Sequence, residues 1–412
     1  MSVPETIEEV VASGLCTGCG LCESVAGREH VRMGLSLLGH SRPYVPEPLD
    51  PAVERRALAS CPGVRVDGPG RPRGVQVHPV WGPVRELHRS WATDPAVRLK
   101  AAAGGTLSTL GRYLLASGEV EAVLHVRARG DRAWLTEGVV SRSEQEVVSG
   151  AQSRYGPSAP LVHVRRLLDE GVVFAVIAKP CDISAVRRLA KVDPRVDAQV
   201  KYLLTIFCGG VHGAHIPRAI IRYHDLEESE IGVFRYRGEG WPGALSVQTR
   251  DGVRKDMTYL GGWTGKPYSY DMQFRCKICP DAVGEVADLS VPDGWILKDG
   301  KPCYDEAPGR NIAVARTERG QRLLHAAVAA GYLELAPMTM AELDPMHANH
   351  PDRKLGGPVQ LLALRLTRQK RLVATGYRPL STLRRAGVRV AWRQFTGTLR
   401  RIARRDNREP LI

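Results

Sequence analysis

Apolar residues along the chain alternate between a helical and a strand-like spacing. In GGTLSTLGRYLLASGEV, Leu107, Leu110, Leu114 and Leu115 recur at the intervals of one helix face, and the strand-like EAVLHVRAR follows. The same order returns in VHVRRLLDEG before VVFAVIA and in ISAVRRLAK before KYLLTIF. This alternation predicts an α/β core of mixed α+β character, in which helices cover a sheet.

The two ends of the chain differ from this core. Residues 1–75 have few long periodic segments and are rich in Gly, Pro and Cys, which predicts a small module stabilised by something other than a large core. Residues 230–295 combine turn clusters with several short strands, and TERGQRLLHAAVAAG then predicts a helix. Residues 336–412 are predicted to form a helical, Arg-rich tail.

Charge is concentrated in that tail. The chain has 412 residues, a formal net charge of +14 and an ordinary 43% of hydrophobic residues. From Arg365 onward, 14 basic residues face only Asp406 and Glu409, so the tail carries +12 and the body is nearly neutral. A neutral body argues against a nucleic-acid partner, whereas the tail is suited to an acidic redox partner. The alternatives are an anionic membrane surface and a solvated helix that packs on its own domain.

The sequence also indicates where the protein resides. No run of 18 apolar residues appears, and the start MSVPETIEEV is acidic, unlike a secretory leader. We therefore expect a soluble, cytoplasmic protein without stable membrane insertion. In that reducing compartment nine cysteines favour metal or redox chemistry over a disulfide framework.

Four cysteines in the N-terminal module have the spacing of an iron–sulfur ligand set. Cys16, Cys19 and Cys22 form C-x2-C-x2-C, and Cys61 is followed by Pro62. Three thiolates at this spacing surround three corners of a cubane, and a distant Cys-Pro supplies the fourth. A four-thiolate zinc site and a metal-free cluster are the alternatives, but zinc knuckles pair two C-x2-C units. The spacing favours an iron–sulfur cluster.

A second set of cysteines is dispersed along the chain. Cys181 and Cys208 follow the apolar runs VVFAVIA and KYLLTIF, and Cys276 and Cys279 form a C-x2-C. If those runs are neighbouring parallel strands, their carboxyl ends bring Cys181 and Cys208 to one sheet edge. From spacing alone a redox pair, half a zinc site or core cysteines remain alternatives. Cys303 has no partner at ligand spacing.

Seven motifs follow one another along the chain: CTGCGLC, GGTLSTL, SRYGPSAPL, KPCDISAVRRL, FCGG, FRYRGEGWPG and YSYDMQFRCKICPDAVGEVADLSVPDGW. Together they resemble the coenzyme F420 hydrogenase/dehydrogenase beta-subunit family over about residues 10–335. That family includes 7-hydroxymethyl chlorophyll a reductase and 8-vinyl chlorophyllide reductases. The resemblance implies a proximal [4Fe-4S] cluster on Cys181, Cys208, Cys276 and Cys279 beside FAD. It implies an outer cluster on Cys16, Cys19, Cys22 and Cys61.

The resemblance also divides the chain. It implies an N-terminal [4Fe-4S] module over 1–75, a flavin-binding sheet domain in two parts over 76–165 and 166–335, and a tail outside the family pattern. Where family members commonly have small hydroxyl residues before Gly-Gly, this chain reads Lys100-Ala-Ala-Ala-Gly104-Gly105. Contacts of that loop with a flavin phosphate must therefore come from backbone N–H groups.

Several residues suit contacts with a flavin. Gly104, Gly105 and Thr106 at a helix start suit a pyrophosphate, although helix-start geometry alone explains a Gly-Gly. Planar cations and aromatic rings suited to stacking and anion recognition are Arg154, Tyr155, Arg235, Tyr236, Arg237 and Trp241. Each of these residues also has a purely structural explanation.

Two residues are candidates for the chemistry itself. Lys179 at a strand end provides a cation that suits a reduced flavin or cluster, unless it is simply solvated. His212 and His215 follow Cys208, and we assign a candidate proton-transfer role to His212.

The sequence thus predicts an FAD- and iron–sulfur-dependent oxidoreductase with two [4Fe-4S] clusters. FAD would exchange hydride with coenzyme F420 or a tetrapyrrole-like substrate, and the clusters would exchange electrons with a ferredoxin-like partner. The alternatives are a non-catalytic electron-transfer subunit of a larger complex and a zinc-thiolate structural protein whose Arg-rich tail binds nucleic acid. A homo-oligomer is also left open.

Overall fold

The N-terminal segment folds into short helices and strands around its cysteines. The structure is a computed structural model and describes residues 3–266 and 271–411. The elements of this segment are α1 (Ile7–Ala12), α2 (Leu21–Ala26), β1 (Arg32–Leu35), β2 (Ser41–Tyr44), α3 (Pro51–Ser60) and β3 (Arg65–Asp67). The side chain of Thr6 caps α1 by accepting the N–H of Glu9, and Asp50 caps α3 before Pro51. These caps allow short helices to form with little apolar periodicity.

The next segment begins the main sheet and its helical cover. Its elements are β4 (Gln76–His78), β5 (Gly82–Val84), β6 (Glu86–Ala92), α4 (Pro95–Lys100), α5 (Thr106–Ala116), β7 (Ala122–Ala128), β8 (Thr136–Ser141), α6 (Glu144–Ser149), a 3-10 turn (Pro160–His163) and α7 (Val164–Asp169). Helix α5 buries Leu110 and Leu114, two of the residues whose spacing predicts it. The predicted helix and the following strand β7 are confirmed.

The following segment supplies the central strands. Its elements are β9 (Phe174–Ala178), α8 (Pro180–Leu189), α9 (Arg195–Gln199), β10 (Val200–Thr205), α10 (His215–Tyr223), a 3-10 turn (Glu228–Glu230), β11 (Ile231–Arg235), β12 (Leu245–Thr249), β13 (Arg254–Met257), α11 (Tyr259–Trp263), α12 (Phe274–Lys277), β14 (Leu289–Ser290), β15 (Ile296–Lys298), β16 (Lys301–Cys303), β17 (Asn311–Ala315), α13 (Glu318–Ala329) and β18 (Leu333–Pro337). The helix–strand alternation predicted from the sequence is confirmed here as well.

Eight strands form one mixed sheet, in the order β18-β6-β17-β14-β10-β9-β7-β8. Its four central strands β14, β10, β9 and β7 are parallel, and the outer strands join antiparallel. Ala178 at the end of β9 lies opposite Thr205 at the end of β10. The segments that begin at Lys179 and Ile206 therefore leave the same edge of the sheet, as the sequence predicts.

Helices cover both faces of this sheet. On one face Leu124, Phe174 and Val176 pack in a core that includes residues of α7 and α8. On the other face Val123 and Ala175 pack in a core that includes residues of α5 and α13. Because neighbouring strand residues point to opposite faces, this alternation produces three layers and confirms the mixed α/β architecture.

The C-terminal segment returns to the N-terminal one. Its elements are a 3-10 turn (Met340–Glu342), α14 (Leu343–Met346), α15 (Asn349–Leu366), β19 (Val373–Thr375) and α16 (Pro379–Ala403), with non-helical dihedrals at Gly387. Strand β19 pairs in parallel with β3 of the N-terminal segment. The side chain of Glu409 is buried against Arg42. The predicted helices are present, but the segment is integrated into the fold rather than appended to it. No helix in the described ranges is long and apolar enough to span a bilayer.

Candidate functional site

The four N-terminal cysteines line one cavity. Two lie in the loop between α1 and α2, one in α2 and one directly after α3, namely Cys16, Cys19, Cys22 and Cys61. The loop requires glycine at two positions. Gly18 has φ of 72°, and a Cβ there would lie 2.7 Å from the carbonyl oxygen of Ser41. Gly20 has φ of 86° and is equally crowded by Val162. The glycines of CTGCGLC thus let the cysteine loop close against its neighbours.

Burial keeps these thiols protonated unless a cation compensates. Burial raises the pKa of Cys19 to about 12, with Asp182 and the thiols of Cys61 and Cys16 adding to the effect. Burial likewise raises the pKa of Cys61 to about 11. Four mutually repelling thiolates in an apolar cavity need a bound metal cluster to ionise. The donor set therefore fits a [4Fe-4S] cluster in chemistry and in number.

The dispersed cysteines also meet. Cys181 lies in the first turn of α8, Cys208 follows β10, Cys276 lies in α12 and Cys279 follows it. Burial raises the pKa of Cys208 to about 12, and neighbouring Cys276 and Cys279 add to this shift. Cys208 and Cys279 also raise the pKa of Cys181. These four residues are therefore one set, which we name the proximal set; the N-terminal four are the outer set.

The sulfur atom of Cys276 accepts hydrogen bonds within the protein. The backbone N–H of Val211 lies 3.4 Å from this sulfur, and the side-chain amide of Gln273 lies 3.3 Å from it. Donors at a sulfur favour the thiolate form that a cluster ligand requires. In the described part of the chain no group of three or more His, Cys, Asp or Glu side chains is arranged to hold a metal ion.

The two cysteine sets adjoin. Lys179 forms a buried ion pair with Asp182 at 2.7 Å. Although burial opposes its charge, Asp182 and the thiols of Cys181 and Cys19 hold the pKa of Lys179 above its ordinary value. Arg275 donates to the carbonyl of Pro62 at 3.2 Å and so links the neighbours of Cys276 and Cys61. A cation predicted at a strand end is therefore buried between the sets instead of being solvated.

The predicted glycine loop is packed tightly. A Cβ on Gly104 would lie 2.6 Å from the carbonyl oxygen of Ser90. The N–H of Thr106 bonds to Asn311 at 3.2 Å, and its hydroxyl lies 2.9 Å from the Ser90 hydroxyl. Gly105 adopts φ of 76° at the start of α5. Both polar groups of Thr106 thus have protein partners, and its phosphate role stays a prediction.

Arg154 has a structural set of partners. Its guanidinium donates to the carbonyls of Phe234, Ala133 and Leu135 and to the hydroxyl of Thr136, at 2.6 to 3.1 Å. Burial lowers the pKa of Arg154 to about 10. Its donors are therefore directed at the backbone of neighbouring loops, which leaves its predicted role as an anion contact without direct support.

The segment from residue 235 to 241 has buried donors without partners. Arg235 reaches the carbonyl of Lys100 at 3.0 Å, which brings this segment to the glycine loop. Arg237 pairs with Asp293 at 2.7 Å and lies over the rings of Tyr259 and Trp295. Among the described residues no partner is found for three buried atoms, Tyr236 Oη, Arg237 Nη2 and Trp241 Nε1. Such orphaned donors fit a polar, aromatic cofactor such as a flavin.

Tyr155 and His212 lie beside this aromatic segment. Tyr155 contacts Tyr236 edge-on at 5.4 Å, and its carbonyl accepts the N–H of His212. The His212 ring stacks on Trp263 at 5.2 Å, and its Nδ1 lies 2.9 Å from the carbonyl of Asp271. Burial lowers the pKa of His212. Residues 268–270 of the quoted motif lie outside the described ranges.

Sequence reasoning missed the polar residues that hold the proximal loops. Arg42, Gln273, Arg353 and Glu409 make buried or partly buried hydrogen bonds around the cysteine sets. They lie far apart in the sequence and follow no spacing rule. One available signal was the presence of two acidic residues, Asp406 and Glu409, in a strongly basic tail.

These features define a cysteine-rich α/β protein with a helix-covered mixed sheet. The family model of the coenzyme F420 hydrogenase/dehydrogenase beta subunit matches residues 87–166 with its N-terminal part and 173–341 with its C-terminal part. Together the matches cover more than half of the chain. The chain therefore belongs to the coenzyme F420 hydrogenase/dehydrogenase beta-subunit family, and the resemblance stated from its motifs is confirmed.

Three relatives illustrate the similarity. The beta subunit of F420-dependent formate dehydrogenase 1 of Methanococcus maripaludis is 23% identical over 60% of this chain and 61% of its own. The coenzyme F420 hydrogenase subunit beta of Methanothermobacter thermautotrophicus is 25% identical over 63% of this chain and 86% of its own. A coenzyme F420-dependent sulfite reductase of Methanocaldococcus jannaschii is 24% identical over 54% of this chain but only 34% of its own.

The fold is also similar to a solved structure. A chain of the F420-reducing [NiFe] hydrogenase complex from Methanosarcina barkeri superposes with a TM-score of 0.57 and 20% identity. The alignment covers 72% of this chain and 98% of the other. This likeness supports the fold. The matched part of the first relative is under two thirds of its length, so activity, substrates and partners are inferred below.

Proposed function

We propose that this chain is an FAD- and iron–sulfur-dependent oxidoreductase that passes electrons between a redox partner and coenzyme F420. The observation that carries the proposal is the adjacency of the two four-cysteine sets. The Lys179–Asp182 pair lies between them, and Arg275 links their neighbours. Clusters held at these two adjoining cysteine sets would form a relay for single electrons. The relatives' names, which refer to coenzyme F420, indicate the substrate.

The protein residues around the relay would bind and orient the cofactors. The outer and proximal sets would each hold one [4Fe-4S] cluster. When bound, FAD exchanges hydride with a two-electron substrate and single electrons with clusters. Tyr236, Arg237 and Trp241 supply three buried donors that have no partner within residues 3–266 and 271–411 and would serve its polar atoms. Lys179 holds positive charge beside both cysteine sets, which stabilises added electrons there.

His212 is suited to handle a proton at this place. Its ring is half-buried beside Tyr155 and Trp263, and its pKa is lowered by burial, so the imidazole is neutral near pH 7. Nδ1 lies at hydrogen-bond distance from the carbonyl of Asp271, which favours the tautomer with the proton on Nδ1. Nε2 would then accept a proton released during hydride chemistry.

Cofactor analysis of the full chain tests the proposal. We expect anaerobically purified protein to contain about eight irons and one FAD. Cys19→Ser should lose about half of the iron and keep FAD, because the proximal set remains intact. Reduced F420 should bleach the flavin faster than NAD(P)H does.

Different outcomes would contradict different parts. A colourless preparation containing zinc would support the structural alternative and reject the relay. Loss of all iron and flavin in Cys19→Ser would show that the two sets are not independent. A control variant, Cys303→Ser, removes a thiol outside both sets and should leave iron and flavin unchanged.

A second candidate is an electron-transfer subunit within a larger complex. The relatives from formate dehydrogenase 1 and from coenzyme F420 hydrogenase, matched over 61% and 86% of their lengths, are named as beta subunits. In that case iron would be present, but isolated chain would not oxidise reduced F420 until a partner subunit is added. Single-turnover flavin reduction in the isolated chain distinguishes the two candidates.

We also propose an acidic, ferredoxin-like protein as electron partner. The tail carries most of the net charge, and Arg384, Arg389 and Trp392 of α16 are exposed. Near the outer set the hairpin β1–β2 exposes Leu37, with 91% of its surface accessible. Cationic surface attracts an acidic partner, and exposed apolar side chains provide contact area.

A further inference from the structure

Helix α15, which lies beyond both matched family segments, contacts the loops of the proximal set. Arg353 in its first turns donates from Nη1 to the carbonyls of Cys208 at 3.1 Å and Gly209 at 2.7 Å. Its Nη2 donates to the carbonyl of Cys276 at 2.8 Å. One guanidinium therefore connects the loop after β10 with the cysteine of α12. Its planar fork fixes the separation of these two loops.

The same helix holds the rest of the C-x2-C segment. The side-chain amide of Gln360 donates to the carbonyl of Lys277 at 3.0 Å. Lys354 donates to the carbonyl of Pro280 at 2.8 Å and forms a buried ion pair with Glu285. With Arg353, α15 thus satisfies carbonyls at positions 276, 277 and 280. Residues 276–280 are not part of a β-sheet, so these side chains donate the hydrogen bonds that a neighbouring strand would otherwise supply to the carbonyls.

The end of the chain reaches the proximal set from another direction. Glu409 pairs with Arg42 at 2.8 Å, with exposed fractions of 5% and 1%. Arg42 donates from Nη2 to the side-chain oxygen of Gln273 at 3.0 Å, and the Gln273 amide lies 3.3 Å from Cys276 Sγ. Ser36 also donates to Glu409. A hydrogen-bonded path therefore runs from the C-terminal end to a cysteine sulfur.

We propose that the C-terminal segment 343–411 positions the proximal cysteines, with Arg353 as the principal positioning residue. The inference rests on the proposed function, since it concerns how the ligand set of a cluster is held. Among the described residues Arg353 donates to backbone carbonyls of the cysteine loops, so its contribution is to their spacing. The path from Glu409 orients the donor at the Cys276 sulfur. Residues outside the family pattern thus complete a site inside it.

Substitutions in α15 test this inference. In Arg353→Ala we expect loss of about half of the iron, with the outer cluster retained. Any proximal cluster that remains should show a shifted electron paramagnetic resonance spectrum and midpoint potential. Arg353→Lys keeps the charge but cannot span both loops, so it should fall between Arg353→Ala and wild type. The matched control is Arg365→Ala, an exposed arginine of the same helix.

A second measurement does not depend on iron. In the full-length chain freed of iron, Arg353→Ala should expose the Cys208 and Cys276 thiols, with alkylation roughly tenfold faster than in wild type. Alkylation of Cys61 should not change. If the wild-type protein purifies without iron, the proposed function is rejected. The alkylation rates of Arg353→Ala and wild type would still decide the role of Arg353.

Three outcomes would overturn the inference. The first is an unchanged iron content and spectrum in Arg353→Ala together with unchanged alkylation. The second is equal loss of both clusters, which would mean that Arg353 supports the whole fold. The third is the same effect in Arg365→Ala, which would attribute the result to net charge.

Discussion

At the scale of single residues, the charges of the buried ion pair Lys179–Asp182 affect the stability of the fold. The exposed fractions of its side chains are 9% and 0%. Two charges in such a place gain little net stability as a pair, because desolvation offsets their attraction. Removing one of them leaves the other buried without a partner, which is strongly unfavourable. The loss of stability on removing one of the two charges therefore tests whether the pair is buried.

We expect Lys179→Met to lower the free energy of unfolding by about 3–5 kcal/mol, because the Asp182 carboxylate loses its cation. The double variant Lys179→Met/Asp182→Leu removes both charges and should recover most of this loss. Denaturant unfolding followed by circular dichroism compares both variants with wild type. A single variant as stable as wild type would mean that the pair is not buried as described.

At the scale of secondary-structure elements, strands β7 and β8 are joined by a buried histidine. Nε2 of His125 in β7 lies 2.7 Å from the hydroxyl of Ser141 in β8. Burial lowers the pKa of His125 to about 4. In the unfolded chain a histidine titrates near pH 6.5, so the unfolded state binds the proton first as the pH falls.

The stability from neutral His125 should therefore be fully present above about pH 6.5 and decrease as the pH falls towards 4. The total loss is about 3 kcal/mol on the usual conversion of pKa shifts. In His125→Gln the dependence of unfolding free energy on pH over this range should become flatter. The control His30→Gln, at a largely exposed position, should keep the wild-type slope. An unchanged slope in His125→Gln would contradict the buried, neutral state.

At the scale of the whole molecule, the basic residues of the C-terminal segment fall into a buried group and an exposed group. Some of its basic residues are buried in ion pairs, such as Arg378, which contacts Glu285 at 2.5 Å. Others are exposed on α16, together with Trp392, which is 68% exposed. Deleting the whole segment would break the buried pairs as well as the surface. Only substitutions on the exposed face test docking separately.

We expect Arg384→Glu/Arg389→Glu to slow reduction by an acidic ferredoxin roughly tenfold at low ionic strength. The rate should also lose most of its dependence on salt, because fewer charges steer the encounter. Stopped-flow reduction at several salt concentrations measures both effects. The control Arg222→Glu/Arg250→Glu makes the same charge change at other exposed positions. If both double variants behave alike, α16 is not the docking face.

Much of the architecture follows from local patterns. The Leu107 to Leu115 spacing predicts α5, and the β-branched runs predict β7, β9 and β10, because helices and strands bury one face with a fixed period. The proximity of Cys181 and Cys208 also follows, since their strands are neighbours in parallel. The flavin and substrate contacts do not follow, because an arginine such as Arg154 can serve a ligand or a loop equally well.

The sequence by itself thus determined the helix–strand order and a helix-covered sheet, because these depend on spacing along the chain, and it singled out the N-terminal cysteines by their spacing; the grouping of the dispersed cysteines came from the family resemblance. Only the tertiary structure decided that Lys179 lies between the two cysteine sets and that Arg353 and Glu409 reach the proximal set. Those contacts join residues more than a hundred positions apart, as between Arg353 and Cys208. No local period encodes such partners, since they are selected by how packed elements bring unpaired carbonyls and charges together.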